Sequence, residues 1–228
     1  MTRLLSIPLV LVLSLLLVGC GDTETFRYKL TISVETPEGV KTGFSVVEIK
    51  ATDVRFPERG TASSARGEAI YVDLGAGRRP LVAVMSLYQG KSKGLKWYEG
   101  KPDTEALLKL FGEKPEERLV KQFAQLKRMR GARPLATQDL PDLVTFADVA
   151  SPKTVTAVDP EDLRASLGYG IRWQSMAIEI TEEPVTKSIE KKLPWLAGPW
   201  IGLDVAPWSG GSKSAPRRIT SYSFRTSN

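Results

Sequence analysis

The chain has 228 residues, of which 42% are hydrophobic and 25% are charged, and its formal net charge is +6. It contains no histidine and a single cysteine, Cys20, which excludes Ser-His-Asp and Cys-His catalysis, internal disulfides and zinc sites built from imidazole or thiolate. An enzyme with this composition would have to use a carboxylate pair, a serine–lysine pair or a tyrosine.

The first 19 residues have the layout of a secretory signal. Arg3 precedes an apolar run over residues 4–18, and small residues follow before Cys20. A membrane-spanning helix needs roughly 20 apolar residues, so this run is short for a permanent anchor. The pattern predicts a signal peptide over residues 1–19.

The tetrad Leu17-Val18-Gly19-Cys20 at the end of this run resembles the lipobox of bacterial lipoproteins. The resemblance implies that residues 1–19 are removed, that the Cys20 sulfur carries a diacylglyceryl group, and that a fatty acid such as palmitate acylates the new α-amine. Two or three acyl chains hold a protein stably at a bilayer, whereas one chain does so only marginally. Gly21 replaces the aspartate that retains enterobacterial lipoproteins in the inner membrane, so the resemblance implies the periplasmic side of the outer membrane. The alternatives are an ordinary cleaved signal with a chance cysteine, or an uncleaved anchor.

Strand patterns open the mature chain, which has roughly 209 residues and fits one domain. After a lipidated tether over residues 20–25, apolar and polar side chains alternate over residues 26–36, which predicts a half-buried strand. Pro37 and Gly39 supply a turn, and residues 43–52 are predicted as the returning strand.

A second strand pair is predicted after a polar loop over residues 57–67. It consists of residues 68–75 and residues 79–88, joined around Gly75-Ala76-Gly77. We expect these four antiparallel strands to form one opening sheet.

Helical periodicity begins at Pro102. The first predicted helix is capped near Asp103 and stopped by Gly112, and a longer helix is predicted from Pro115. The basic residues on and after the second helix are Arg118, Lys121, Lys127, Arg128, Arg130 and Arg133.

This basic set is a candidate site for an anionic lipid headgroup or an envelope polymer. The alternative is a solvated helix face, with Glu116 and Glu117 close enough to pair with part of it. Loss of Arg3 with the signal leaves a net charge of about +5. No nucleic-acid motif with base-stacking aromatic residues accompanies this charge, so we expect no nucleic-acid partner.

The second half of the chain alternates helix and strand. A helix is predicted from Asp159-Pro160 to Gly168, a strand over residues 171–181, and a short helix from near Thr186 that ends before Pro194. The predicted fold class is α+β, with an antiparallel sheet built from N-terminal hairpins plus a later strand, and two to four helices packed on it.

The domain organisation follows from composition. Residues 26–196 are predicted as a single α+β domain. Residues 197–228 are rich in Pro, Gly and Ser and are predicted as a C-terminal extension with an edge strand near residues 219–224.

Three tryptophans lie at the start of this extension and just before it. Trp195, Trp200 and Trp208 are candidates for a ligand rim or an interfacial contact, and the alternative is that they cover the edge of the core.

Catalytic candidates are sparse. Ser188 and Lys191 have the spacing of a Ser-Lys pair, which a chain with this many serines and lysines also shows by chance. The carboxylates considered for acid–base chemistry are Asp139, Asp142, Asp148, Asp159, Glu161 and Asp162. Capping, turns and the helix dipole explain most of them, and no acidic run has the spacing of a calcium loop, so we expect neither a metal nor a cofactor.

A second resemblance covers residues 26–196. The hairpin with ETPEGVKTG, the segments GEAIYVDLG and RPLVAVM, and the stretch from DLPDLVTFADVASPKTVTAVDPEDL to EITEEPVTKSIEKKLPWL resemble a set of proteobacterial hypothetical proteins without an assigned function. This resemblance implies one folded domain and assigns no functional residue.

Taken as a sequence, the chain is expected to be a lipid-anchored cell-envelope protein that acts as a structural or binding module rather than as an enzyme. Its expected partners are the membrane, through acyl chains on Cys20, and an anionic lipid, an envelope polymer or another envelope protein. The alternative is a hydrolase of cell-envelope material that uses carboxylates or the Ser188/Lys191 pair.

Overall fold

The computed structural model describes residues 22–54, 60–75, 77–85, 95–205 and 217–226. The signal segment, Cys20 and Trp208 lie outside the described residues, and what the sequence predicts for them stays a prediction. No helix in the described ranges is long and apolar enough to cross a membrane.

The described residues form antiparallel sheets and four helices. The strands are β1 (Thr23–Thr36), β2 (Gly39–Val54), β3 (Gly60–Arg66), β4 (Ile70–Val72), β5 (Leu81–Ala83), β6 (Trp97–Tyr98), β7 (Lys101–Pro102), β8 (Arg133–Pro134), β9 (Leu143–Phe146), β10 (Val155–Ala157), β11 (Arg172–Ile180), β12 (Gly202–Val205) and β13 (Arg217–Thr220). The helices are α1 (Thr104–Leu110), α2 (Leu119–Leu126), α3 (Leu163–Leu167) and α4 (Ile189–Lys192).

The first sheet has five strands in the order β3-β2-β1-β11-β8. Its central strand β1 buries alternate side chains, which confirms the predicted half-buried strand. The buried side chains of β1 are Phe26, Tyr28, Leu30, Ile32 and Val34. The predicted returning strand and the later strand are also present, as β2 and β11.

This sheet is longer than the sequence predicted in two places. Residues 23–25, expected in the tether, pair with residues 50–52 of β2 and begin β1. Residues 60–66, predicted as a polar loop, form the edge strand β3, so the loop prediction is wrong there. β3 consists mainly of small residues that are exposed, as is common in an edge strand. These residues do not alternate between apolar and polar, so the sequence pattern does not indicate a strand.

The second sheet has the order β10-β9-β5-β4, so the expected single opening sheet of four strands is wrong in its grouping. The predicted pairing of β4 with β5 is confirmed, and the turn between them has positive φ at Gly75 and Gly77. This hairpin pairs with β9 instead of joining β1 and β2, because both of its faces are buried and each serves a different hydrophobic core.

Two cores lie on the opposite faces of the second sheet. Ile70, Val72 and Leu81 belong to the first core, which also contains the buried face of the first sheet. Val82 and Phe146 belong to the second core, together with residues of α4, β12 and β13. The second sheet is therefore the middle layer of the molecule.

Helices α1 and α2 pack together, and α2 packs on β1 and β2. As predicted, the Asp103 carboxylate caps α1 by accepting from the backbone N–H groups of Glu105 and Ala106, both at 3.1 Å, and Gly112 follows with φ of 85°.

The second helix begins at Leu119 and not at Pro115 as predicted. The Gln122 side chain donates to the Glu116 carbonyl at 2.6 Å, and the Gln125 side chain donates to the Lys114 carbonyl at 3.0 Å. These bonds give the Lys114 and Glu116 carbonyls hydrogen-bond partners and hold the segment before the helix as a loop folded against it.

The later helices also begin further along the chain than predicted. Asp162 caps α3 by accepting from the Ala165 N–H, while the predicted cap Asp159 accepts from Glu161 in a turn. Helix α4 begins at Ile189 because Thr186, the predicted start, bonds instead to the backbone of β2.

The predicted C-terminal extension contains the strand pair β12 and β13. Leu203, Ile219 and Phe224 are buried in the second core beside Val144. The strand expected near residues 219–224 ends at Thr220, and a short 3-10 turn follows.

Candidate functional site: the basic surface beside the start of β1

Helix α2 and the residues that flank it carry most of the predicted basic set, and the helix is fixed on its apolar side. Val120, Phe123 and Leu126 are buried, and the Phe123 ring meets the Phe26 ring edge to face, with centroids 4.8 Å apart. Lys121, the one charged residue within α2, therefore faces away from the sheet.

The two ends of α2 hold the beginning of the folded chain. Arg118 pairs with Asp22 at 3.3 Å and, more closely, with Asp53, and Lys127 lies 3.8 Å from Glu24. The hydrogen bond to Asp53 is the main cause of a raised pKa at Arg118. These carboxylates come from the start of β1 and the end of β2.

In the alternative of a solvated helix face, the sequence predicts that Glu116 and Glu117 lie close enough to pair with part of this set. Neither forms an ion pair with it among the described contacts. The actual partners at residues 22 and 24 fell within the segment expected to be a tether.

The remaining basic residues follow the C-terminal end of α2. Arg128 donates to the Ala124 carbonyl at 3.1 Å, Arg130 to the Lys127 and Met129 carbonyls at 3.0 and 2.8 Å, and Arg133 to the Ala132 carbonyl at 3.2 Å. A helix C-terminus favours positive charge. We call Lys127, Arg128, Arg130 and Arg133 the basic C-terminal cluster.

This cluster keeps donors for another ligand. A guanidinium has five N–H donors, and the bonds above use one or two on each arginine. Arg133 also lies over the Phe111 ring, 5.0 Å from its centroid, while Arg128 and Arg130 are exposed. Lys121, the sixth predicted residue, is exposed on α2. The surface can therefore bind an anion without breaking an ion pair at either of these two arginines.

The tryptophans do not meet at a common site in the described residues. Trp195 packs in the second core, edge to face on Phe224 at 5.2 Å and near Phe146 at 6.1 Å. Its buried indole N–H has no described hydrogen-bond partner. Trp200 is 54% exposed.

Ser188 is engaged by a residue that sequence reasoning missed. Its hydroxyl donates to Glu68 at 2.9 Å, and the same carboxylate accepts from the backbone N–H groups of Ser188 and Ile189 at 2.7–2.9 Å. Lys191 contributes a backbone N–H to the Ser188 carbonyl. Ser188 is thus part of the cap of α4, which Glu68 supplies from a distant segment that no local pattern indicates.

Most of the candidate carboxylates have local roles. Asp139 accepts from the Leu95 N–H at 2.6 Å and Asp148 from the Ala150 N–H at 2.9 Å, as Asp159 and Asp162 do in their own turns.

Three of these carboxylates share a cavity. Asp142, Asp159 and Glu161 line an otherwise mostly apolar cavity of about 290 Å³ between β9, β10 and the β12–β13 pair. Within the described part of the chain, no cluster of three or more Asp, Glu, His or Cys residues could hold a metal ion.

The chain was compared with protein-family models, with curated proteins and with solved structures, and nothing matched in any of the three comparisons.

Proposed function

We propose that the protein is a lipid-anchored cell-envelope protein on the periplasmic side of the outer membrane, and that it works as a binding or structural module. In this proposal Cys20 carries the acyl chains, and the basic C-terminal cluster lies against anionic lipid headgroups.

The observation that supports the proposal is the position of Asp22 and Glu24 beside α2. Their ion pairs with Arg118 and Lys127 fix the start of the folded chain at the basic surface. Only Gly21 separates Cys20 from Asp22. The Cα atoms of residues 20 and 22 therefore lie at most about 7 Å apart, even when the chain is fully extended. An acylated Cys20 would therefore keep this surface close to the bilayer.

Electrostatic attraction between the basic residues and an anionic membrane supplies the binding free energy in this proposal. Each lysine or arginine near an anionic membrane contributes about 1 kcal/mol, and the attraction decays over a Debye length of about 8 Å at physiological ionic strength. In this proposal the short connection from Cys20 keeps Lys127, which lies 3.8 Å from Glu24, near the headgroups, and a few such cations set the orientation of the anchored domain.

The test is co-sedimentation of the unacylated chain, beginning at Gly21, with phospholipid vesicles. We expect it to bind vesicles containing phosphatidylglycerol more tightly than purely zwitterionic vesicles, and less tightly as salt is raised. Lys127→Glu/Arg128→Glu should weaken this binding by about tenfold or more, since it reverses two charges that face the headgroups.

The matched control is Lys187→Glu/Lys191→Glu, which reverses two exposed charges away from α2. This variant should bind about as well as the unaltered chain. Binding that ignores lipid charge, salt and both substitutions would rule out the anionic surface as the partner.

A further inference from the structure

β3 is an edge strand of the first sheet, and its outer side is unpaired among the described strands. β3 pairs with β2 on one side, from Val54↔Gly60 to Glu48↔Arg66, and no described strand pairs with it on the other. Six of its seven residues are exposed, and Arg66 at its end is the only charged one. Proteins usually blunt such edges with charge, proline, bulges or a covering segment, because a free edge accepts another strand.

A groove of about 670 Å³ lies beside this edge, between the buried face of β2 and the two helices α1 and α2. Ile49, Leu119 and Phe123 form its apolar floor, and Tyr98, which is 45% exposed, stands at its side. Ser63 of β3 lines the groove as well, so the sheet edge and the groove form one continuous surface.

The rim of the groove is acidic. Asp103, Glu105 and Glu117 line it, and Lys101 is the single basic residue among the lining side chains. Lys101 donates to the Ser63 carbonyl at 3.4 Å, and Asp103 caps α1. Glu105 lies 3.9 Å from Lys109, but both side chains are exposed, and such a surface pair is weak. The rim therefore favours an occupant with positive charge.

We propose that this surface binds an extended, basic segment of a partner protein, which adds to β3 as a further antiparallel or parallel strand. Backbone hydrogen bonds along β3 hold the segment, an apolar side chain enters the groove over Ile49 and Phe123, and flanking basic side chains face Glu105 and Glu117. This proposal does not rest on the lipid anchor.

A second copy of the chain suits the surface less well. Pairing of β3 with β3 would offer the groove only small side chains, such as Ser63 and Ala65, which cannot fill a volume of about 670 Å³. Arg66 lies on the other face of the strand, where it pairs with Glu48 at 2.8 Å. It would also leave both acidic rims without a basic partner.

The probe is a nine-residue peptide in which lysine and threonine alternate and the central residue is leucine, so that one face carries leucine flanked by lysines. It is titrated into the full-length protein, purified in detergent as cells make it. We expect saturable binding, and hydrogen exchange of backbone amides within residues 60–66 should slow by about tenfold or more, because strand addition protects them.

Two control peptides separate strand addition from charge attraction. The same sequence with N-methylated backbone amides keeps its charge but should bind about tenfold more weakly, since it cannot form the ladder. The peptide with glutamate in place of lysine should also bind more weakly.

On the protein side, Glu117→Lys should weaken binding. Glu113→Lys, the same charge change outside the groove lining, should not.

Three results would overturn the proposal. One is peptide binding that leaves exchange at residues 60–66 unchanged. Another is protection of these residues without peptide that grows with protein concentration, which would assign the edge to a second copy. The third is protection without peptide at every concentration, which would mean that another part of this chain covers the edge.

Discussion

Glu68 is the one charged side chain that is buried in the described residues, with 6% of its surface exposed. Its carboxylate accepts hydrogen bonds from the Ser188 hydroxyl and from the N–H groups of Ser188 and Ile189. Each of these donors lies about 120 residues away in sequence. One side chain therefore ties the first residue of α4 to the segment that enters β4.

Replacing this carboxylate with an amide tests its role. Glu68→Gln removes the negative charge and keeps only one of the two acceptor oxygens, so the N–H donors of Ser188 and Ile189 lose a charged acceptor, at a cost of about 1–3 kcal/mol. We expect the free energy of unfolding to fall by that amount in urea denaturation. The control Glu182→Gln, at an exposed carboxylate, should stay within about 0.5 kcal/mol of the unaltered protein. Equal effects of the two substitutions would contradict a capping role for Glu68.

The C-terminal strands matter at the scale of elements, because they close the second core. Phe224 is fully buried, and its ring contacts those of Phe146 and Trp195. Its N–H and carbonyl also bond to the backbone at Ser221 and Ala69. The segment after residue 196 is thus integrated with β4 and β9.

We expect Phe224→Ala to destabilise the protein by about 3–5 kcal/mol, the usual cost of emptying a large aromatic site in a core. Tyr222→Ala, two residues away and 52% exposed in the native protein, is the matched control and should cost little. Thermal unfolding followed by circular dichroism measures both. A loss at Phe224 no larger than that at Tyr222 would mean that the C-terminal strands do not support the core.

The elements that are predictable from the sequence have one face in the core and one face toward solvent. β1 alternates because one of its faces is buried, and α1 is bounded by Asp103 and Gly112, whose roles are local. β9 shows no alternation of apolar and polar residues that would predict a strand, because all four of its residues are buried and its two faces pack in different cores. Its partners, β5 and β10, are fixed by tertiary packing that periodicity does not reveal.

The candidate site was predictable in composition but not in its contacts. The basic residues around α2 are visible as a charge run, whereas their partners Asp22 and Glu24 are distant in sequence and lie in the segment predicted as a tether. The groove beside β3 had no sequence signal, since it requires Ile49 and Phe123 to meet across the fold.

At the scale of the whole molecule, the long strand β1 connects two surfaces that lie far apart. Its first residues lie beside α2, and its last residue, Thr36, leads into the hairpin tip at Pro37. Gly170 lies against Pro37, since a Cβ at that glycine would stand 2.6 Å from the Pro37 Cγ, and the adjacent Tyr169 is 85% exposed. Fourteen residues of extended chain separate the two ends by roughly 40 Å. An anchor at Cys20 would therefore turn α2 toward the bilayer and Tyr169 away from it.

The depth of these two ends in a membrane tests the account most directly. Because Cys20 is the only native cysteine and acylation would consume it, Lys121→Cys and Tyr169→Cys each provide one thiol for a fluorophore. The labelled proteins are reconstituted in anionic vesicles that carry quenchers on the lipid headgroups. Metabolic labelling with radioactive fatty acid, with Cys20→Ser as the unlabelled control, establishes the anchor in the same preparations.

We expect fatty acid on the native protein and not on Cys20→Ser, strong quenching of the label at residue 121, and little quenching at residue 169. Equal fatty-acid labelling of the native protein and Cys20→Ser would contradict the lipid anchor. Equal quenching at the two positions, or stronger quenching at residue 169, would contradict the placement of the basic surface on the membrane.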